Sequence, residues 1–280
     1  MKIVSYIHDG VQKWGAVTED NEVVDLTCNA PTLKAALAGN AIHLSPNKDY
    51  VKVSLEEIEL LPVVPNPDKI FCIGIAYHDH RKETGRKNSE HPTVFTRFAD
   101  SQVAHNKPIV VPLESEQLDF EGELAIIIGK GGRRIAVEDA WSHVAGYAPY
   151  CDATIRDWQH HTSQWTPGKN FPATGAFGPW MVTRDEIEDG RPLTLVTRLN
   201  GKEVQRATTD QLIFSIPEII AYCSSFTELK PGDVIATGTP GGVGGKRTPP
   251  LWMKSGDLLE IDIEAVGVLA NCIEEEMHDK

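Results

Sequence analysis

Two glutamates two residues apart are the first candidates for chemistry. Glu121 and Glu123 lie in residues 119–125 (DFEGELA), at the start of an apolar run that is typical of a strand. Side chains two apart on a strand point to one face, so the two carboxylates repel each other and lose hydration there. A hard divalent cation, Mg²⁺, Mn²⁺ or Ca²⁺, would relieve both effects. A solvated strand edge is the alternative, and spacing alone does not separate the two.

Asp152 is the candidate for a third carboxylate, because it follows the apolar residues 144–148 in a polar segment. Three carboxylates leave half of an octahedral shell open to water and substrate. If residues 152–159 are helical, Asp152, Arg156 and Gln159 share one face and can hold a substrate carboxylate near the metal. An ordinary salt bridge between Asp152 and Arg156 is the simpler alternative.

His80 and Glu83 are spaced to form a general base. On a helical turn, residues i and i+3 touch, and a carboxylate on one imidazole nitrogen raises the basicity of the other. Such a pair can activate water. A two-histidine metal site at His78 and His80 is a rival interpretation, and a polar surface helix is another. We favour the base, because the carboxylates already provide a site for Mg²⁺ or Mn²⁺.

Two loops add candidate substrate contacts. Lys169 lies in the turn-rich residues 166–172 and could stabilise a developing oxyanion. Residues 237–245 (TGTPGGVGG) form a glycine-rich loop that matches neither a P-loop nor GxGxxG, because Arg247 stands where each motif requires another residue. Its backbone N–H groups and the Thr239 hydroxyl are predicted to bind a substrate anion. A wide hairpin loop is the alternative.

Composition limits the classes of function. The chain has 280 residues, with 27 Lys and Arg against 40 Asp and Glu, a formal net charge of −13. This charge argues against a nucleic-acid binder and against an anionic membrane surface, although local cations or a metal still allow an anionic small-molecule substrate. Five cysteines without a CxxC pair, no signal peptide and no apolar stretch of ~18 residues predict a cytoplasmic protein.

The elements that must position these residues divide at a proline-rich segment, residues 61–67, which disfavours helix. We predict a small β-rich domain at residues 1–65 and a catalytic domain at residues 66–280. The predicted strands include residues 3–7, 14–17, 22–26, 69–75, 109–112, 120–128, 180–183, 193–200 and 258–264. The predicted helices are residues 32–38, 137–142 and 214–225, while residues 77–85 are a short helix or a loop and residues 156–164 a helix or a long loop. Because strands do not alternate with long helices, the fold class is α+β and β-dominated.

From residue 69 onwards the chain resembles the fumarylacetoacetate hydrolase superfamily, in its acylpyruvate hydrolase-like bacterial branch. The motifs that carry the resemblance are Tyr77-x-x-His80-x-x-Glu83, residues 119–125, Asp152-x-x-x-Arg-Asp-Trp-Gln159, Lys169 and residues 237–243 (TGTPGGV). Each motif is short, but their joint order and spacing is specific. Ala76, Arg97, Cys151 and residues 172–176 depart from the usual family pattern. These departures lie around the pocket and bear on substrate identity rather than on metal binding.

The resemblance implies a mixed β-sandwich roll around the metal site, a small β-rich domain ahead of it, and a homodimer. It implies Mg²⁺ or Mn²⁺, with Ca²⁺ as a substitute, on Glu121, Glu123 and Asp152. His80 and Glu83 become a water-activating dyad on a segment that orders over bound substrate. Catalytic and substrate contacts are then assigned to Lys169, Tyr77, Arg156, Gln159 and Thr239.

The function implied is a metal-dependent hydrolase that cleaves a C–C bond in a β-diketo acid through a metal-bound pyruvate enolate. An acylpyruvate such as fumarylpyruvate or maleylpyruvate, from aromatic catabolism, is the expected substrate. Two alternatives use the same metal site: an oxaloacetate decarboxylase, and a hydratase or isomerase of an unsaturated 2-oxo acid. A binding protein that keeps the fold without the chemistry is a further alternative.

Overall fold

The structure is a computed structural model that describes residues 1–45, 48–87 and 89–277. The strands in these ranges are β1 (Lys2–His8), β2 (Val11–Val17), β3 (Glu22–Asp25), β4 (Lys52–Ser54), β5 (Glu59–Leu60), β6 (Ile70–Gly74), β7 (Thr93–Arg97), β8 (Gln102–Val103), β9 (Ile109–Val111), β10 (Leu118–Asp119), β11 (Gly122–Ile128), β12 (Val144–Asp152), β13 (Thr154–Ile155), β14 (Gly175–Phe177), β15 (Met181–Thr183), β16 (Thr194–Leu199), β17 (Lys202–Thr208), β18 (Val234–Ala236), β19 (Leu258–Ile263) and β20 (Gly267–Glu275). The α-helices are α1 (Leu33–Ala38), α2 (His78–Thr84), α3 (Arg156–Gln159), α4 (Thr166–Lys169) and α5 (Ile216–Phe226). Short 3₁₀ helices cover Leu55–Glu57, Ala99–Ser101, Val137–His143, Arg184–Glu186, Thr209–Gln211 and Gly244–Lys246.

Three sheets carry the architecture. The largest runs in the order β4-β3-β2-β1-β15-β12-β11-β18-β6-β7, with β5, β8 and β14 attached at its sides. A second sheet has the order β17-β16-β19-β20-β9, and β10 pairs with β13 alone. Most pairs are antiparallel, whereas β18 with β6, β14 with β8 and β20 with β9 run parallel. The fold is therefore α+β, β-dominated and mixed, as the sequence predicts.

Strand β11 is the centre of the molecule, because every one of its residues is buried. Leu124 and Ile126 pack into one hydrophobic cluster together with Ile261 of the second sheet. Ala125 and Ile127 point to the opposite face and join a cluster that includes Trp14. A strand buried on both faces reads as a continuous apolar run, which explains the sequence of residues 124–128. Both faces hold β11 rigidly at the point where it carries Glu123.

The N-terminal strands extend the large sheet. Strand β1 pairs with β15 through Ile3 and Met181, and Ile3 shares a core cluster with Ile70 and Ala125. The division at residues 65 and 66 stays a prediction. The two predicted regions also include residues 46, 47, 88 and 278–280, which lie outside the described residues. No helix in the described ranges is long and apolar enough to cross a membrane.

Local signals predict several elements well. Ser215 caps α5 in a reciprocal capping box with Glu218, and Asn200 and Gly201 have the positive φ angles of 53° and 74° that a tight hairpin turn requires. The helix predicted at residues 137–142 is wrong in part, because these residues belong to a 3₁₀ helix. Of residues 156–164, predicted as a helix or a loop, only Arg156–Gln159 are helical. The sequence does not predict β12 or β20, because neither alternates cleanly between apolar and polar residues.

Candidate metal centre and active site

Neighbouring strands bring three buried carboxylates together. In the β11–β12 pair, Gly122 lies opposite Cys151, and the Asp152 N–H donates to the Glu121 carbonyl over 2.9 Å. Glu121, Glu123 and Asp152 are 5%, 1% and 0% exposed, and each offers a carboxylate oxygen within 4.8 Å of the others. Three converging carboxylate oxygens suit a hard divalent cation. The structure thus assembles the three residues that the sequence selects as metal ligands.

The route by which Asp152 reaches this cluster differs from the prediction. Asp152 closes β12, and the helix starts only at Arg156. The condition for a helical face shared by Asp152, Arg156 and Gln159, that residues 152–159 are helical, therefore does not hold. The expected salt bridge between Asp152 and Arg156 is also not formed, because Asp152 pairs with Lys169 and Arg97. Glu121 lies just before β11 and not within it.

Glu123 shows why the cluster suits a cation. Its carboxylate accepts one hydrogen bond, from the Gly238 N–H at 2.8 Å, and among the described residues it has no cationic side-chain partner. Burial and the negative charges of Asp152 and Glu121 raise the pKa of Glu123 well above its ordinary value. A divalent cation at the triad would counter this repulsion and keep Glu123 ionised.

Lys169 lies between the other two carboxylates. Its Nζ donates to Glu121 Oε2 at 2.8 Å and to Asp152 Oδ2 at 2.6 Å. Burial alone would lower the pKa of Lys169, but Asp152 and Glu121 raise it, so the ammonium form persists. For Glu121, burial opposes ionisation, yet Lys169 and Arg156 lower its pKa to about 2. Lys169 therefore holds two candidate metal ligands, and its contact with a substrate oxyanion stays a prediction.

Arg97 binds Asp152 from the other side. Its Nη1 donates to Asp152 Oδ1 at 2.7 Å, and its Nη2 donates to Thr174 Oγ1 at 2.6 Å. Both members of the Arg97–Asp152 pair are fully shielded from solvent. The expectation that Arg97 bears on substrate identity rather than on metal binding is therefore wrong, because its guanidinium binds a candidate metal ligand and does not line the cavity. The position of Arg97 two residues after Phe95 gives no local sign that it reaches a carboxylate 55 residues further on.

Arg156 connects Glu121 to a fourth buried carboxylate. Its Nη2 donates to Glu121 Oε1 at 2.6 Å and its Nε donates to Asp119 Oδ2 at 2.7 Å. Nη1 donates to Gln159 Oε1 at 2.9 Å, so these two predicted substrate contacts also bind each other. Asp119 is 0% exposed. Sequence reasoning does not select Asp119, although it opens the DFEGE motif.

The glycine-rich loop presents its backbone N–H groups to protein carboxylates. Gly238 donates to Glu123, Gly242 to Glu83, and Gly244 to Asp119. Gly238 has a φ of 103°, and a Cβ there would lie 2.2 Å from the Ala76 Cβ. These three amides already bind carboxylate side chains and are not free for a substrate anion; for the rest of the loop, anion binding stays a prediction. Through these amides, the loop fixes the positions of the acidic groups.

Thr239 is held in the same way. Its hydroxyl donates to the Gly122 carbonyl at 3.0 Å and accepts from Gln205 Nε2 at 2.8 Å. Gln205, a buried residue of β17 that sequence reasoning does not select, also accepts from the Gly122 N–H. Thr239 lines the cavity, so its predicted substrate contact stays open to test.

His80 and Glu83 form the predicted pair on α2. His80 Nδ1 lies 3.2 Å from Glu83 Oε2, and Glu83 Oε1 accepts the Gly242 N–H at 3.1 Å. Glu83 therefore fixes the imidazole and also ties α2 to the glycine-rich loop. Because Nδ1 faces Glu83, Nε2 is the ring nitrogen left to exchange a proton with a ligand.

A cavity of about 380 Å³ joins these groups. Glu121, Glu123, Lys169 and His80 line it, as do the predicted contacts Arg156, Gln159 and Thr239. Tyr77 does not line this cavity. It is 1% exposed, and its hydroxyl has no hydrogen-bond partner in the part of the chain that the structure describes. This geometry does not support Tyr77 as a substrate contact.

Comparison with known proteins identifies the class. The family described as "Fumarylacetoacetate (FAA) hydrolase C-terminal" matches residues 69–274, a range that includes all the residues placed around the cavity. The chain therefore belongs to the fumarylacetoacetate hydrolase superfamily and is an enzyme of that superfamily. Its members include hydrolases, isomerases and oxaloacetate tautomerases.

Individual proteins of this superfamily show which activities occur among the relatives of this chain. The chain is 43% identical over 224 residues to oxaloacetate tautomerase YisK of Bacillus subtilis (strain 168), covering 79% of this chain and 74% of that protein. It is 42% identical over 221 residues to the mitochondrial oxaloacetate tautomerase fahd2 of Xenopus laevis, covering 78% and 69%. A solved structure of maleylpyruvate hydrolase from Sphingobium sp. SYK-6, in complex with manganese(II) and pyruvate, covers 99% of this chain and 100% of that chain at 28% identity, with a TM-score of 0.82.

Proposed function

We propose that the protein is a divalent-metal-dependent tautomerase that interconverts the keto and enol forms of oxaloacetate. The observation that carries the proposal is the meeting, in one cavity, of a three-carboxylate site with a His80–Glu83 proton-transfer pair. The first can fix a 2-oxo acid, and the second can move its proton. The two tautomerase relatives, at 42% and 43% identity, support this reaction over the others.

The reaction moves one proton and consumes no water. In the direction of the enol, a C3–H bond of oxaloacetate breaks, an O–H bond forms at the C2 oxygen, and the C2–C3 bond becomes double. His80 Nε2 accepts the proton from C3, while Glu83 on Nδ1 stabilises the imidazolium that results. The proton then passes to the C2 oxygen, and the imidazole returns to its neutral form.

Other residues orient the substrate and favour the charge that develops at the C2 oxygen. Glu121, Glu123 and Asp152 would hold Mg²⁺ or Mn²⁺, which supplies Lewis acidity toward the 2-oxo group when bound. Lys169, held as an ammonium ion, adds a fixed positive charge at the cavity floor. Arg156 and Gln159 line the cavity as donors for a carboxylate.

Hydrolysis of an acylpyruvate is the second candidate. A His–Glu pair of this geometry also activates water, and the maleylpyruvate hydrolase structure, which holds manganese and pyruvate, shares the fold over 99% of this chain. The two reactions differ in what His80 deprotonates: carbon C3 in the tautomerase and a water molecule in the hydrolase. Decarboxylation of oxaloacetate is a third outcome that the same assay detects.

One assay set separates these reactions. The Mn²⁺-loaded protein is given oxaloacetate, and enol loss is followed by ultraviolet absorbance while pyruvate is measured in the same sample. Enol conversion above the rate with Mn²⁺ alone, without pyruvate, is the expected result. Pyruvate from oxaloacetate would indicate a decarboxylase, and pyruvate from fumarylpyruvate or maleylpyruvate a hydrolase. If oxaloacetate is converted no faster than by free Mn²⁺, the tautomerase proposal fails.

The assembly and the compartment stay proposals as well. We propose a homodimer acting in the cytoplasm on a small anionic 2-oxo acid. Light scattering coupled to size-exclusion chromatography, with and without Mn²⁺, tests the dimer directly.

A further inference from the structure

The cavity has a floor and a mouth that differ in solvent exposure. The floor residues Glu121, Glu123 and Lys169 are 5%, 1% and 1% exposed. Three other lining residues, Arg86, His160 and Lys246, are exposed. They come from three separate segments of the chain: the end of α2, the end of α3 and the glycine-rich loop. We call these three residues the cationic mouth.

The carboxylates of the cavity lie at its floor, whereas its mouth carries positive charges. The carboxylates that line the cavity are Glu121 and Glu123, and both lie at the floor. The fixed charges of the mouth are the positive charges of Arg86 and Lys246. Neither forms an ion pair with a carboxylate within the described ranges, whereas Lys169 and Arg156 at the floor are both paired. In a chain of net charge −13, an entrance lined by unpaired cations is a local reversal that attracts anions.

The charged mouth residues also change the pKa of their neighbour His160. Burial lowers the pKa of His160, and the positive charges of Arg156, Lys246 and Arg86 lower it further. The lowered pKa disfavours the charged form of His160, so Arg86 and Lys246 carry the fixed positive charge of the mouth. Trp165, which lines the same cavity, lies under the Arg86 guanidinium with 5.9 Å to the ring centroid, a contact that keeps Arg86 at the entrance.

We propose that the cationic mouth, through Lys246 and Arg86, binds the second carboxylate of a dicarboxylic 2-oxo acid whose 2-oxo acid end lies at the floor. This inference rests on the proposed function and adds the residues that would select its dicarboxylic substrate. Floor groups recognise what all 2-oxo acids share, so they cannot distinguish a dianion from a monoanion of equal length. The cationic mouth would then select the dianion, because a terminal carboxylate can pair with both cations and a terminal methyl group with neither.

Binding of a matched ligand pair tests the proposal. Oxaloacetate and 2-oxobutanoate have the same four-carbon 2-oxo acid chain and differ in a terminal carboxylate against a methyl group. Affinities of both for the Mn²⁺-loaded protein are measured by calorimetry in wild type, Lys246→Gln, Arg86→Gln and the double variant. Lys202→Gln, at an exposed lysine of β17 outside the cavity, is the charge-matched control.

We expect the variants to lose affinity for oxaloacetate and to keep their affinity for 2-oxobutanoate. Each single variant weakens oxaloacetate binding about threefold to fivefold, and the double variant about tenfold. Binding of 2-oxobutanoate changes less than about twofold, and the control binds both ligands like wild type. Raising the salt from about 0.05 M to about 0.5 M reduces the oxaloacetate preference of wild type more than that of the double variant.

Two results would overturn the proposal: equal weakening of both ligands, or no weakening of either in the double variant. These results are separate from those that decide the reaction. If wild type fails to tautomerise oxaloacetate but the variants lose oxaloacetate binding selectively, the proposed function is wrong and the proposed role of the cationic mouth is supported. If wild type tautomerises oxaloacetate and the double variant still prefers oxaloacetate to 2-oxobutanoate, the proposed function is supported and the proposed role of the cationic mouth is wrong.

Discussion

Arg97 and Asp152 form an ion pair that no solvent reaches. Arg97 Nη1 lies 2.7 Å from Asp152 Oδ1, and both side chains are 0% exposed. Further donors of the same guanidinium bind the Ala153 carbonyl at 3.0 Å and the Thr174 hydroxyl at 2.6 Å. A planar guanidinium with several bound donors has one orientation. Arg97 therefore fixes the direction in which Asp152 faces the candidate metal site.

Replacing Arg97 by lysine should weaken metal binding. Arg97→Lys keeps the charge but loses the fixed fork, so we expect Mn²⁺ affinity to fall about tenfold. The free energy of unfolding should fall by about 1–3 kcal/mol, because Thr174 or Ala153 loses its donor. Calorimetric titration with Mn²⁺ and urea unfolding measure the two effects.

A surface arginine provides the control for this substitution. Arg184 pairs with Asp189 where both are about one-third exposed, so Arg184→Lys should change the free energy of unfolding by less than about 1 kcal/mol and leave Mn²⁺ affinity unchanged. Equal Mn²⁺ affinity in Arg97→Lys and wild type would contradict a positioning role for Arg97.

His80 should be essential to turnover, and its neighbour His78 should not. His80→Ala removes the group that exchanges the C3 proton, and we expect kcat to fall about 10²- to 10⁴-fold. Glu83→Gln leaves the ring in place but weakens its orientation, so a loss of about tenfold to hundredfold follows. Steady-state assays with oxaloacetate measure both.

His78→Ala is the matched control, because His78 lies on the same helix and contacts Arg81 rather than Glu83. It also decides the rival interpretation of His78 and His80 as a metal pair. Loss of Mn²⁺ affinity in both histidine variants would favour the metal pair and contradict the general base.

Short-range spacing explains what the sequence could predict of this site. Glu121 and Glu123 are recognisable because a two-residue spacing at a strand fixes a shared face, and His80 and Glu83 because a three-residue spacing on a helix fixes a contact. The cap at Ser215 is likewise decided within four residues. Such features depend on local geometry alone, so a single sequence contains them.

The residues that sequence reasoning missed depend on pairing across the sheets. Arg97 reaches Asp152 across 55 residues, and Asp119 reaches the Gly244 amide across 125 residues. Nothing near Arg97 or Asp119 specifies these partners, since they follow from strand order and register. The same reason explains why the sequence does not place Asp152 on a strand, because the buried strand β12 contains glycine and proline and lacks a clear period.

Asp119 should act on the site through Arg156 and the glycine-rich loop. Asp119→Asn places an amide where the carboxylate now accepts from Arg156 and from the Gly244 and Gly245 N–H groups. Because a buried charge then loses a partner, we expect the free energy of unfolding to fall by roughly 3 kcal/mol. KM for oxaloacetate should rise more than kcat falls, since the proposed role of Arg156 is to bind substrate and not to exchange its proton.

Asp185→Asn, at an exposed aspartate, is the control for a simple change of charge. It should leave stability and both kinetic constants close to those of wild type. A kcat decrease in Asp119→Asn with KM unchanged would contradict its action through Arg156.

Metal binding should release a proton from Glu123. Burial and the charges of Asp152 and Glu121 raise its pKa well above 4.5 in the metal-free protein, and a bound cation requires the ionised carboxylate. We therefore expect Mn²⁺ binding to release protons at any pH below the raised pKa of Glu123, and Mn²⁺ affinity to rise with pH. Titration in two buffers of different ionisation enthalpy counts the released protons.

The same residue should make metal-free stability depend on pH in a defined direction. Because the folded-state pKa of Glu123 lies above its unfolded value of 4.5, its protonation favours the folded state below pH 4.5, and that contribution is lost as pH rises. Glu121 contributes to the free energy of unfolding with the opposite pH dependence: its folded-state pKa of about 2 gives a contribution present above pH 4.5 and lost as pH falls toward 2.

Comparing wild type with Glu123→Gln isolates the effect of Glu123, because glutamine imitates the protonated acid at every pH. Metal-free Glu123→Gln should be more stable than metal-free wild type at pH 7 and equal to it near pH 4, while losing Mn²⁺ binding. Urea unfolding of both proteins with chelator present measures this difference, and a less stable Glu123→Gln protein at pH 7 would show that Glu123 is ionised without a metal.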